Sequence, residues 1–405
     1  ALLESSDMKQ LNDIESNTAR ALLLKKKIKL CLVQCNWHKK NDKTESKLIA
    51  NKRKILLEIL EFYGQRKFKS LDLLKDSFRL LWLNLFRALP DPDSIRTAPN
   101  DDEMDFREPS WDHLVLIYEI AFHVVTNTEI EKKIMQKQLR GKFLQNLVNL
   151  FKSLDDREPQ YVKIILHAIY GRFMALRKDI RNFLAQYCYA YIYNTTCEVF
   201  DSNTSIEWQG IPEILAIFCS IIQGLNVPVK NDYHLLLRNV LVPLHKTYHL
   251  DAFHEELLQC CTQFIIKDVH SATVLLGGLL KFWPNVSPLK EQLFIDEVVH
   301  ILNGCADYME QMACSETNDS EFEHMIVAVV DRLCKSMFCA HHQVAERALL
   351  IWKEESLKLC LEVYGHRCFN TVYNALKKMM DKYWLVEIRN IARSVINDLQ
   401  NTNPQ

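Results

Sequence analysis

The stretch WDHLVLIYEIAFHVV, residues 111–125, decides the fold class. Its residues Trp111, Leu114, Val115, Tyr118, Phe122 and Val125 recur at three- and four-residue spacing. That period gathers them on one face of an α-helix, and the alternation of a strand is missing. Ser110 stands immediately ahead, in the position of an N-cap, so a helix is predicted to start at Trp111. The same period closes the chain, where Leu385, Ile388, Ala392, Val395 and Leu399 share a face.

Outward from this stretch, start and stop signals cut the chain at intervals. Asp155-Asp156 precede Tyr161, Pro228 precedes Tyr233, and Pro284 and Pro288 follow Trp283. The segments between run mostly about 12–20 residues, and neighbouring pairs occupy about 40, the period of HEAT-type helical pairs. Such pairs cannot bury their apolar faces alone, so they stack on one another. The expectation is an all-α, HEAT-like helical-repeat solenoid, an armadillo-like superhelix of about eight helical pairs. Residues 1–405 read as one continuous domain, interrupted at 90–109 by PDPDSIRTAPNDDEMDFREP and more briefly at 197–209 and 314–320. A loop of about twenty residues inside a repeat array points to a role, and this one is acidic.

The 405 residues carry a net charge of −1 and are 48% hydrophobic, enough to bury a core. The first seventy residues hold sixteen basic against eight acidic side chains, which leaves 34 against 43 for the rest. Lys25, Lys26, Lys27, Lys52 and Lys54 lie within apolar-periodic helices, so this basic start reads as a solvated face that docks on an acidic partner. No apolar run approaches the ~20 residues of a membrane span, and the first residues lack the pattern of a secretory leader. Most cysteines sit singly inside hydrophobic helices, such as Cys219 and Cys334, where they behave as small apolar residues. Cys31 and Cys35 lack a second ligand pair. A reducing compartment, cytoplasmic or nuclear, is expected.

An enzyme needs a convergent site, and the sequence offers none. Phosphate-cradling and nucleophile-elbow motifs are absent. His245, His249 and His254, and His341-His342 near Glu346, miss the spacing of a zinc helix. The acids at 101–105 lack the glycine and the closing glutamate of a calcium loop. FYGQRKFKS (62–70) interleaves basic and aromatic residues, but the remainder of the chain is acidic. No catalytic residue, metal, cofactor, nucleic acid or membrane is expected.

At ILHAIYGRFMALRKDIRNF (165–183) the chain resembles the B-prime class of regulatory subunits of protein phosphatase type 2A. The likeness continues through 210–246, HEELLQCCTQFIIKD (254–268), 275–302 and HHQVAERALLIW (341–352). Upstream, SFRLLWLNLFRALP (77–90), the acidic loop and EPSWDHLVLIYE (108–119) keep the family's order. The resemblance implies a non-catalytic targeting subunit that assembles with a scaffold subunit and a catalytic subunit. It also implies a groove for substrates or adaptors carrying a Leu-x-x-Ile-x-Glu motif, at His167, Tyr170, Arg177, Ile217, Ile221 and Lys230. Tyr170, Ile217 and Ile221 would form its apolar pocket, Arg177 and Lys230 would meet acidic groups, and His167 would hold the peptide backbone or line the Leu pocket. Spacing alone puts Tyr170, Ile217 and Ile221 in a helical core. Asp101, Asp102, Glu103 and Asp105 of the acidic loop would face the partner subunits. Ala168 and Ala216 replace an opposed arginine and glutamate of the family, and Tyr233 replaces a histidine, so motif binding should be weakened. A free-standing HEAT adaptor that no longer joins the phosphatase is the alternative.

Overall fold

The structure, a computed structural model, describes residues 9–14, 16–37, 42–65, 68–90, 106–197, 210–314 and 319–402. Among them are eighteen helices and no strand. The acidic-loop residues Asp101, Asp102, Glu103 and Asp105 lie outside the described residues. The chain divides into two compact units, Ala1–Tyr191 with Glu198–Ile214, and Ile192–Cys197 with Leu215–Gln405.

The first unit holds α1 (Asn17–Leu30), α2 (Lys43–Gln65), α3 (Leu71–Leu85), α4 (Trp111–Thr126), α5 (Lys132–Leu139), α6 (Lys142–Asn149) and α7 (Arg157–Arg172). It also takes most of α8 (Arg177–Cys197) and the first turn of α9 (Ile211–Gln223). Ser70 caps α3 by accepting the Leu73 N–H at 3.3 Å. Ser110 does occupy the N-cap position of α4, but its hydroxyl donates to Glu108 at 2.7 Å instead of capping. α2, α4 and α7 form a row in which each packs on the next, and α3 packs across α1 and α4.

Because α4 has neighbours on several sides, its buried residues wrap well beyond one stripe and include Ile117, Ile120, Ala121 and Val124. Phe122, which the sequence assigns to the core face, is 38% exposed. A helix in a stacked row is covered by the helices before and after it, and Phe122 falls in the uncovered strip between them.

The second unit holds the rest of α9, then α10 (Asn231–Leu236), which widens into a π-helical stretch at Leu237–Leu241 and closes with Val242–Leu244. There follow α11 (His254–Lys267), α12 (Ser271–Lys281), α13 (Pro288–Gly304), α14 (Ala306–Cys314) and α15 (Ser320–Ser336). α16 (His342–Leu350), α17 (Glu355–Lys382) and α18 (Val386–Thr402) complete the chain. Two rows run side by side, α11–α13–α16–α18 and α12–α15–α17, the arrangement of stacked helical pairs. Caps follow the sequence: Ser287 accepts from Lys290 N–H with Pro288 at the first helical position, and Asp319 accepts from Phe322 N–H. A Cβ at Gly278 would stand 2.3 Å from Val242 Cγ1, so only glycine permits this approach of α12 to the end of the α10 run. In α16 Val344 and Ala348 are buried, as is Ile351 just beyond it, while Arg347 pairs with Asp296 of α13.

Buried glutamates tie neighbouring helices together. Glu158 of α7, wholly buried, receives Arg87 through Nη1 at 2.8 Å and Nη2 at 2.9 Å, and the Tyr118 hydroxyl of α4 at 2.6 Å. Arg87 also donates to Glu108 at 3.0 Å, which draws together the chain on either side of the acidic loop. Glu291 accepts from Trp283 Nε1 and the Ser336 hydroxyl, and Glu323 lies 2.9 Å from Arg367 Nε. Removing one partner of a buried pair strands the other charge and costs about 3–5 kcal/mol. Glu158→Leu should lower unfolding free energy by that amount in urea titration, whereas Asp156→Asn, at an exposed pair with Arg107, should cost under about 1 kcal/mol.

Candidate functional site

α7 ends at Phe173, where the backbone leaves helical geometry (φ −114°, ψ 87°), and the short turn Met174–Leu176 returns the chain into α8. This return lays Arg177 over Tyr170, with the guanidinium carbon 5.0 Å from the ring centroid. Arg177 Nε donates to the Tyr170 carbonyl at 2.9 Å and Nη2 to the Gly171 carbonyl at 3.4 Å, closing off the end of α7. A guanidinium has five N–H groups, so Arg177 retains donors for a further acceptor. One turn into α8, Arg181 Nη1 donates to the Tyr170 hydroxyl at 3.3 Å. Tyr170 therefore has one guanidinium over its ring and a second at its hydroxyl, both half-buried. His167, exposed, and Ala168, half-buried, sit just before Tyr170 on α7.

In the second unit Ile217 and Ile221 are 1% and 6% exposed and lie in the core beside Leu215, Phe218 and Ile222. α9 is apolar nearly all round, so its two isoleucines pack inward, as plain helical spacing indicated. Lys230 is exposed and occupies the N-cap position of α10, with Ala216 and Tyr233 half-buried. The structure thus brings Tyr170 and Arg177 into contact. Arg181 was not singled out in the sequence, although its position four residues after Arg177 places both on one face of α8.

The histidines weighed as a metal match resolve differently. His245 and His254 converge on Glu297 of α13, at 2.9 Å and 3.0 Å to its two oxygens, while His249 is exposed. His245 Nδ1 lies 3.0 Å from the Val242 carbonyl, which can only accept, and its Nε2 faces the carboxylate. Hydrogen bonds from both ring nitrogens require the protonated ring, the form that the raised His245 pKa favours. Burial by itself would raise the Glu297 pKa, but the His245 charge and the two hydrogen bonds outweigh it and hold the carboxyl at about 2. Burial disfavours the His245 charge as well, yet Glu297 raises its pKa. His245, Cys261 and Glu297 offer donors within 4.8 Å of one another, a set that could surround a metal ion. Burial and the Glu297 charge push the Cys261 thiol well up, against the thiolate a metal requires, and both carboxylate oxygens are already engaged by histidine nitrogens.

Stacked helical pairs with a polar aromatic patch, rather than a convergent set of reacting groups, define an interaction scaffold. The chain belongs to the B56 family of protein phosphatase 2A regulatory B subunits, which it matches over residues 8–405. It is 33% identical over 392 residues to the B' epsilon isoform of the 57 kDa regulatory chain of Arabidopsis thaliana serine/threonine protein phosphatase 2A, covering 95% of this chain and 74% of the relative. The 55 kDa B' delta isoform of the same plant is 31% identical over 402 residues, 98% of this chain and 79% of the relative. The role of this chain is therefore regulatory, in association with a phosphatase complex, and not catalytic.

The Glu297 cluster sets a pH dependence. Glu297, with its pKa lowered, contributes stability that is complete above its unfolded value of about 4.3 and lost as pH falls towards about 2. His245, with its pKa raised, contributes stability complete below its unfolded value of about 6.5 and lost as pH rises through its folded value. The pair should therefore stabilise most between about pH 4.5 and 6.5. Thermal midpoints measured from pH 4 to 9 should show this maximum in the wild type and a flatter profile in Glu297→Gln.

Proposed function

We propose that this chain targets a phosphatase 2A trimer, binding a scaffold and a catalytic subunit and recruiting substrates or adaptors through short linear motifs. The observation that carries the recruitment reading is the Tyr170–Arg177–Arg181 patch. Guanidinium groups beside an aromatic ring suit an acidic or phosphorylated side chain next to an apolar one. Lys230 of the second unit is an exposed cation, which the family likeness assigns to the acidic end of a Leu-x-x-Ile-x-Glu segment. Ala168 takes away a further cation beside His167, so the affinity is reduced relative to a member that keeps it. The acidic residues Asp101, Asp102, Glu103 and Asp105 are assigned to the partner-facing side. Twelve of the cysteines are free thiols, which accords with action in the cytoplasm or nucleus.

Two measurements test this. Affinity purification of the tagged chain should bring down scaffold and catalytic chains in equal amounts, and their absence would favour the free-standing adaptor. A fluorescent Leu-x-x-Ile-x-Glu peptide, plain or phosphorylated, should bind wild type and lose about ten- to hundredfold in affinity with Arg181→Glu, the equivalent of one charge-assisted contact. Ala168→Arg should tighten the phosphorylated peptide more than the plain one. Equal binding by all three chains would remove the patch from motif recognition.

A further inference from the structure

The row α2–α4–α7 leaves an open cavity of about 450 Å³ on its surface, within the size range of ligand sites. Its walls are Leu60 of α2, Phe122 of α4, and Tyr161, Ile164 and Ile165 of α7, and Gly64 contributes no side chain to obstruct it. Two of these are large apolar residues left in water, Phe122 at 38% and Ile164 at 49% exposed. Side by side across one cavity they make an apolar surface in want of a partner.

The polar groups around the cavity specify what fills it. Glu61 and Glu119 line it together with Gln65 and His123, and among the described residues no lysine or arginine does. Among the described residues Glu61 Oε1 accepts from the neutral amides of Asn12 and Gln65. Glu119, half-buried, has no ion-pair partner among the described residues. Two carboxylates that meet no lysine or arginine among the described residues, beside an apolar cavity, complement a cation attached to an apolar group. Ile164 also stands one helical turn before His167, so the cavity adjoins the outer face of α7 that carries Tyr170.

We infer that this cavity is a second docking site, which accepts a partner peptide segment presenting a bulky apolar side chain with lysine or arginine next to it. The apolar group enters between Phe122 and Ile164, and the cation meets Glu61 and Glu119. The site does not depend on the motif reading of Tyr170 and Arg177. It would add avidity for any partner long enough to span both surfaces.

The probe is a fluorescein-labelled twelve-residue peptide with a central tryptophan flanked on both sides by lysine. Two controls replace the lysines with glutamate, or the tryptophan with serine. Titrated into the whole chain, the Trp–Lys peptide should bind at least tenfold more tightly than either control. Phe122→Ser with Ile164→Ser, both exposed positions, should reduce its affinity tenfold or more with the thermal midpoint preserved. Glu61→Gln with Glu119→Gln should abolish the preference for lysine over glutamate while leaving the tryptophan preference intact. Absence of binding to the wild type, or equal affinity for the serine control, or an affinity unchanged by the Phe122 and Ile164 substitutions would each overturn the assignment. Arg181→Glu, titrated in parallel with both this peptide and the Leu-x-x-Ile-x-Glu peptide, should affect only the latter, so failure of either surface is seen separately.

Discussion

A helix inside a stack must satisfy neighbours on several sides, and apolar packing alone does not tell one register from the next. In this chain that choice is made by carboxylates taken out of water. Glu158, Glu291 and Glu297 are each buried on a helix and each meet donors from other elements, and buried Glu323 stands at ion-pair distance from Arg367. Sliding α7 by one turn against its neighbours would separate Glu158 from Arg87 and Tyr118 and leave a charge in the core, at a cost of several kcal/mol. The apolar rows supply most of the driving force, and the buried carboxylates define where each row stops.

That division of labour suits a chain that performs no chemistry. Its surface is free to vary while the rows hold their spacing, and recognition can be placed wherever a turn exposes side chains. The return from α7 to α8 is one turn that gathers such side chains. Arg177 closes the carbonyls at the helix end and lies against Tyr170 in the same act, so the patch is held in place by the geometry that ends the helix. Phe122 and Ile164 illustrate a different outcome, in which stacking leaves apolar side chains uncovered between neighbouring helices of one row.

Much of the fold was legible because the helical period is a local property. The face running from Ile388 to Leu399, the caps at Ser70, Ser287 and Asp319, and the core positions of α16 all follow from spacing and residue type. Less legible was anything set by a partner far along the chain. His245 and Glu297 are 52 residues apart, and nothing in their spacing indicates that they meet. Phe122 was assigned inward because period alone cannot count how many helices will cover a face. Ile217 and Ile221 are buried, and spacing alone does not separate a core position from the peptide pocket that the family likeness implies, because the same apolar spacing serves both. Arg181 could have been found from its position relative to Arg177, since a single turn of α8 separates them.

The paired carboxylates also bear on how such a chain drifts over generations. A solvated lysine can be exchanged on its own, but losing Arg87 strands Glu158, and losing Glu297 strands two histidines. Viable lineages therefore change these positions together or keep them. Surface positions can be exchanged singly, whereas the buried couples can move only as sets. Their joint inheritance, rather than any single residue, is the mark by which a still more distant descendant of this stack would be known.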